Sequence, residues 1–265
     1  QVEPDYALAW AGIADCYGQL ASHETEGDRN EPLRLGLEAA RRAVMLDPRL
    51  PEAHKAEALC LRFGGDRDGS KAALTRALEA NGNFIPALIN LGVECFTDGD
   101  LARSERLFRR AKEVDPLGVF AMAWLAYVLR LTRRPDEALQ ILKRMSEIGG
   151  SAFFVAVSHG NAVAIHLERA ELDRAEQWIR DAIARGAPPE SVRVLEAALA
   201  MQRGDTKPAR QFLHEAGAEV DSSPGYMVML VGLALRLNEF DRAMALVRRH
   251  MTDGFAPVLL RLTPE

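Results

Sequence analysis

Residues 64–71 read Gly-Gly-Asp-Arg-Asp-Gly-Ser-Lys, one transposition away from the Gly-x-x-x-x-Gly-Lys-Ser/Thr loop that cradles phosphates. That loop works because a preceding strand aims backbone N–H groups at the anion. Here Ser70 precedes Lys71 and the segment lies between two helical patterns, so it reads as an inter-helix turn. Asp66-x-Asp68-Gly69 hints at a calcium loop, but it lacks the remaining oxygen ligands and the closing bidentate glutamate, and reads as a helix start. The histidines fall at 23, 54, 159, 166, 214 and 250 without any His-Glu-x-x-His. His159 and His166 share a helix face, but seven residues separate them by about 10 Å along the axis, too far for one metal ion; both are expected to pack against a partner helix. Cys16, Cys60 and Cys95 form no Cys-x-x-Cys and are expected as small buried hydrophobes near the ends of three helices. Basic pairs recur at Arg41-Arg42, Arg109-Arg110, Lys143-Arg144 and Arg248-Arg249. Glu38, Glu105 and Glu176 precede Arg42, Arg109 and Arg180 by four residues, which suits solvated, self-neutralised helix faces. These residue types therefore carry no catalytic or metal-binding chemistry, and no cofactor is expected.

Composition narrows the class further. The chain has 265 residues, 33 Lys+Arg against 38 Asp+Glu for a net charge of -5, 48% hydrophobic and 27% charged residues, as folded soluble chains do. A mildly acidic balance lacks the basic footprint of a nucleic-acid binder. No apolar run reaches the roughly 18 residues of a membrane helix; the best candidate, 226–237, is too short. Residues 1–4 carry no basic or apolar signal region. Three unpatterned cysteines suit a reducing cytoplasm, the expected compartment.

The elements that carry these residues repeat. Gly36, Ser70, Ser104, Ala138, Ala175, Ala209 and Ala243 head seven similar segments, 34 residues apart except for one step of 37. Four residues after each stands Ala40, Leu74, Phe108, Leu142, Ile179, Leu213 or Val247; seven after, Ala43, Ala77, Ala111, Met145, Ala182, Ala216 or His250. Steps of four and seven share one helical face, and the first residue must be small because a neighbouring helix passes close. An apolar helix precedes each segment. Between the two lie turn signals such as Asp98-Gly99-Asp100, Arg133-Arg134-Pro135-Asp136, Gly204-Asp205 and Asn238-Glu239. A second break follows each pair, at Asp47-Pro48, Asn81-Gly82, Asp115-Pro116, Gly149-Gly150 and 186–189.

A 34-residue helix–turn–helix with small, aromatic and proline marks resembles the tetratricopeptide repeat (TPR) family. Leu91, Gly92, Ser104, Phe108, Ala111 and Pro116 stand at family positions, as do Trp10, Gly12 and Tyr17 in the first segment. The resemblance covers nearly the whole chain and implies an all-α solenoid of about seven antiparallel helix pairs in a right-handed superhelix. The units lie near 5–48, 51–82, 85–116, 119–150, 151–186, 188–217 and 224–252, in a single array over 1–265. The first pair is expected at 5–20 with 32–47, and residues 22–31 between its helices read as a polar loop. Glu57 and Glu196 stand where the family has leucine, so each carboxylate must find a partner or loosen its helix; Gly82 replaces a closing proline. Val2-Glu3-Pro4 matches the tail of a preceding repeat, and 255–265 resembles the short segment that closes arrays in bacterial signalling proteins of cyclase, kinase or winged-helix type. The chain is accordingly expected to be the C-terminal part of a longer protein.

In this family the first helices line the concave side. The positions that would point inward include Lys55, Arg62, Ile89, Val93, Phe96, Phe120, Tyr127 and Arg130, an apolar and aromatic groove with basic residues at its rim. Such a surface suits a peptide or an amphipathic helix. The chaperone-carboxylate clamp is not assembled, because Lys55 is followed by Leu59 where asparagine is needed. The leading expectation is thus a non-catalytic scaffold for a protein or peptide partner, with no nucleic acid and no membrane. Regulation of a larger enzyme or transcription regulator, RNA binding of the pentatricopeptide kind and self-association stay open beside it.

Overall fold

Apolar spacing of the 3.6-residue kind turns into helix throughout. A computed structural model describes residues 5–23, 29–215 and 224–250, which form fourteen α-helices and, among the described residues, no strand. Residues 2–4, the middle of the expected 22–31 loop, Ala216 and the 255–265 segment lie outside the described residues, as do the side chains of Val228, Arg248, Arg249 and His250.

Two compact units divide the chain. The first, Gln1–Pro116, holds α1 (Ala7–His23), α2 (Asn30–Leu46), α3 (Pro51–Phe63), α4 (Arg67–Ala80), α5 (Ile85–Thr97) and α6 (Leu101–Val114). The second, Leu117–Glu265, holds α7 (Val119–Leu131), α8 (Pro135–Ile148), α9 (Ala152–Glu168), α10 (Leu172–Ala184), α11 (Pro189–Gln202), α12 (Lys207–Glu215), α13 (Pro224–Arg236) and α14 (Phe240–His250). Within each unit every odd-numbered helix packs on its even-numbered successor and on the next odd-numbered helix. α1 runs three residues beyond its expected end.

One turn geometry closes six of the hairpins. Gly65, Gly99, Arg133, Ala170, Gly204 and Asn238 all take positive φ, between 56° and 91°. The N–H of the following residue reaches back to the carbonyl five before it, as in Asp66 to Leu61 at 2.9 Å, Arg134 to Leu129 at 2.8 Å and Glu239 to Ala234 at 2.8 Å. This is the left-handed helix stop, which glycine meets without a Cβ penalty. The next helix then starts on a side-chain cap where the sequence supplies one: Asp66 accepts from the Gly69 N–H at 2.8 Å and Asp100 from Arg103 at 3.0 Å. At the second break Asp47 accepts from the Arg49 N–H at 2.9 Å and Asn81 from Asn83 at 3.0 Å. The Asn81 side chain makes this turn although Gly82 has replaced proline.

The small marks sit where helices touch. Ser70, Ser104, Ala138, Ala175, Ala209 and Ala243 are buried, and a Cβ on Gly36 would stand 2.6 Å from the Cys60 sulfur. Ala40, Leu74, Phe108, Leu142, Ile179, Leu213 and Val247 fill the same face and are buried too. The two leucine replacements resolve differently. Glu57 is largely buried and meets Arg76 of α4 at 2.9 Å, with His54 Nδ1 at 3.9 Å. Glu196 is exposed: α11 turns Val192, Leu195 and Leu199 inward and leaves the carboxylate in water.

Candidate functional site

In the first unit, five of the expected groove residues come from α3 and α5, which pack side by side. Lys55 is held by Asp15 of α1. Arg62 lies 6.0 Å over the Phe63 ring, and its Nη1 stands 3.4 Å from Glu94 Oε1. Burial pulls the Arg62 guanidinium below its ordinary pKa, and the Glu94 charge opposes this. Ile89 is half-buried, whereas Val93 and Phe96 are only 6% and 4% exposed. Every residue from Leu91 to Thr97 is buried, because α3, α4 and α6 all pack against α5. Val93 and Phe96 are therefore core residues, a correction to the groove expectation.

In the second unit, α7 supplies the other three. Phe120 is 56% exposed and meets Phe154 of α9 edge-on, with ring centroids 4.9 Å apart; Phe154 in turn meets the exposed Phe153 at 5.3 Å. Tyr127 is half-buried beside Trp124, and burial pushes its phenol up to about 12. Arg130 Nε donates to Glu168 Oε1 of α9 at 3.0 Å. Phe154 and Glu168 were not among the expected residues. The step between these two units is 37 residues, which carries Phe120 to Val157, so the repeat does not single out Phe154. Glu168 has no sequence signal either.

The cationic positions expected to be an open rim are thus oriented by carboxylates of the chain itself. This makes them directional donors more than free charges, since a paired guanidinium keeps N–H groups to offer beyond those it has spent.

The other chemical motifs are absorbed by structure. The Gly69 N–H, which a phosphate loop would need, is taken by Asp66, and Lys71 is held by Asp98 at 2.8 Å and Asp68 at 2.9 Å. His159 is fully buried in the second unit: Nε2 lies 2.8 Å from Asp181, Nδ1 lies 2.8 Å from the Val155 carbonyl, and the ring meets Trp178 edge-on. His166 Nδ1 lies 2.7 Å from Glu171. Both histidines join the two helices of one pair, through polar partners that spacing alone did not show. Cys60 and Cys95 are buried as expected, and burial pushes the Cys60 thiol up to about 11. Cys16 is exposed, contrary to expectation, because it falls on the outer face of α1. Of the expected four-residue ion pairs, Glu105–Arg109 forms at 2.8 Å and Glu176–Arg180 at 2.7 Å, while Glu38 is held by Arg34 at 2.6 Å and Arg42 reaches Asp5 at 3.5 Å. Among the described residues no cluster of three or more His, Cys, Asp or Glu is placed to hold a metal ion, and no helix is long and apolar enough to cross a membrane.

No family model and no curated protein matches the sequence. Solved structures do match. A tetratricopeptide repeat protein from Parabacteroides merdae superposes with a TM-score of 0.67 at 14% identity, covering 97% of this chain and 99% of that one. PilF of Pseudomonas aeruginosa gives 0.60 at 15% identity over 82% of this chain and 96% of its own. YrrB, described as a TPR protein with an unusual peptide-binding site, gives 0.54 at 16% identity over 71% of this chain and 90% of its own.

The fold is that of a TPR solenoid. In each unit the first helices, α3 and α5 or α7 and α9, carry the half-buried aromatic and ion-paired side chains. The second helices carry the closely packed small residues and the solvated charge pairs.

Proposed function

We propose that this chain is a non-catalytic interaction module whose first-helix faces bind a protein or peptide partner. The observation that carries the reading is the run of accessible apolar and oriented polar side chains on these helices: Lys55, Arg62 and Ile89 in the first unit, Phe120, Tyr127 and Arg130 in the second. Exposed aromatics supply contact area at low entropic cost, and Arg130, hydrogen-bonded to Glu168, gives orientation. The similarity to YrrB, which has a peptide-binding site, supports it. A pre-folded helical surface orders few of its own residues on binding, so affinity is not spent on folding.

The test is selection of binders from a random peptide library on the whole chain. Selected peptides should bind Phe120→Ser and Arg130→Ala variants at least about tenfold more weakly than wild type. Equal affinity for all three proteins removes this surface from the reading. A finer reading, that the array serves a bacterial signalling chain of cyclase, kinase or winged-helix type in the cytoplasm, rests on the resemblance of residues 255–265 to the segment that closes such arrays. Reading the gene on both sides of this segment decides it.

A further inference from the structure

A small cavity of about 40 Å³ lies between α3, α4 and α5 in the first unit. Its lining combines buried Ser70 and Leu74 with half-buried Leu59, Arg62, Phe63 and Asn90. Glu94 forms part of the lining, and its side chain is 1% exposed. Glu94 Oε2 is well satisfied, accepting from Arg67 Nη2 at 2.8 Å and Nε at 3.1 Å. Glu94 Oε1 accepts no hydrogen bond. Arg62 Nη1 attracts it from 3.4 Å without hydrogen-bond geometry. The Asn90 amide makes no hydrogen bond among the described residues either. A buried carboxylate oxygen without a donor is costly, and the lining can be completed by a group that donates to it.

Size and charge restrict that group. A cavity of this volume holds about three water-sized groups, at roughly 10–15 Å³ each. A guanidinium or an aromatic ring is too large. A cation is disfavoured because Arg62 and Arg67 already flank the carboxylate, and an anion is disfavoured by the open oxygen itself. What fits is a neutral tip of three heavy atoms that both donates and accepts.

We propose that this cavity is a subsite for a primary carboxamide, the side-chain tip of an asparagine or glutamine on the bound partner. The carboxamide NH₂ donates to Glu94 Oε1, and its oxygen accepts from the Asn90 side-chain NH₂. The inference rests on the interaction reading above and adds one residue-level preference to it.

Two arms separate the two ideas. In the first, acetamide, acetate and methylammonium are titrated against the whole ¹⁵N-labelled chain, following the backbone amide of Glu94, which every variant retains. Acetamide should give a saturable shift, with the two ions at least about tenfold weaker; Asn90→Leu, which plugs the opening, should abolish it. Asn90→Asp keeps the shape if the leucine variant misfolds, and should abolish the shift as well. Equal response to all three probes, or an acetamide response that survives both substitutions, overturns the subsite. In the second arm, peptides selected on wild type should carry Asn or Gln at one fixed position. Binders without that preference overturn the subsite and leave the interaction reading standing. If no peptide binds, the interaction reading falls, and the acetamide arm still decides the cavity.

Discussion

Ser104 of α6 donates its hydroxyl to the carbonyl oxygen of Gly92 in α5 at 2.8 Å, and one turn further on Phe108 covers the same glycine. A Cβ on Gly92 would stand 2.6 Å from Phe108 Cε1, closer than side-chain carbons approach, and Phe108 is fully buried and cannot swing away. Gly92→Ala should therefore lower the stability of the first unit by about 1–3 kcal/mol, the usual cost of overpacking. Ser104→Ala should cost about 1 kcal/mol for the lost hydrogen bond. Urea unfolding measures both. A Gly92→Ala protein as stable as wild type would show that the two helices do not approach this closely.

The left-handed helix stops make a second test. Ala170 and Arg133 adopt φ of 56° and 60° at the place where Gly65, Gly99 and Gly204 stand in the sister hairpins. A Cβ in this region costs roughly 1–2 kcal/mol, partly offset by the flexibility glycine adds to the unfolded chain. Ala170→Gly should raise stability by about 0.5–1 kcal/mol, and Gly204→Ala should lower it by at least as much. Thermal melts that move in the opposite directions would refute the shared turn geometry.

Charge pairs should divide by burial. Arg67→Met strands the buried Glu94 carboxylate and should cost about 3 kcal/mol, whereas Arg34→Ala removes only solvent-exposed pairs with Glu31 and Glu38 and should change stability by less than about 0.5 kcal/mol. Combining Arg67→Met with Glu94→Leu should recover part of the loss, because the buried carboxylate is gone although half-buried Arg62 loses the Glu94 charge. Chemical denaturation of the three proteins reads the order, and equal costs for Arg67 and Arg34 would contradict it.

Acid should weaken the α9–α10 pair. Burial acts to raise the Asp181 carboxyl, but hydrogen bonds from His159 and Arg185 outweigh it and hold the group below its ordinary value; the His166 hydrogen bond does the same for Glu171. A depressed carboxylate stabilises the fold fully above its unfolded pKa and loses that contribution as pH falls through the folded value. Stability should then be flat near neutrality from these groups and decline below about pH 4.5. Asp181→Asn should be less stable at pH 7 and decline less steeply on acidification. Parallel pH profiles for the two proteins would exclude the linkage.

Thiol labelling offers the simplest check. Native protein at pH 8 should take up one equivalent of iodoacetamide, at exposed Cys16, while Cys60 and Cys95 react only after unfolding, since both are buried and burial raises both thiols. Rapid labelling of all three would mean that the first unit is open.

Much of this fold was legible because helix, turn and repeat are local properties. The spacing of Ser70, Leu74 and Ala77, repeated in Ser104, Phe108 and Ala111, assigns a helix, its inward face and the closeness of its neighbour without reference to anything distant. The turns were readable at Gly65, Gly99 and Gly204 and, from Pro135, at Arg133, whereas Ala170 takes the same φ with no glycine or proline to mark it.

By itself, then, the sequence determined the period, the helical hairpins and the residues that must be small. Tertiary structure alone decided which side chains remain accessible and which partner each charge takes. Val93 and Phe96 share the apolar phase of Ile89 but disappear beneath α3, α4 and α6. Arg130 meets Glu168 across 38 residues, and Arg67 meets Glu94 across 27. Glu94 lines a cavity and its Oε1 accepts no hydrogen bond, neither of which a spacing rule describes. The reason is physical: periodicity sets the direction in which a side chain leaves its own helix, while burial and pairing depend on the rotation and separation of neighbouring helices.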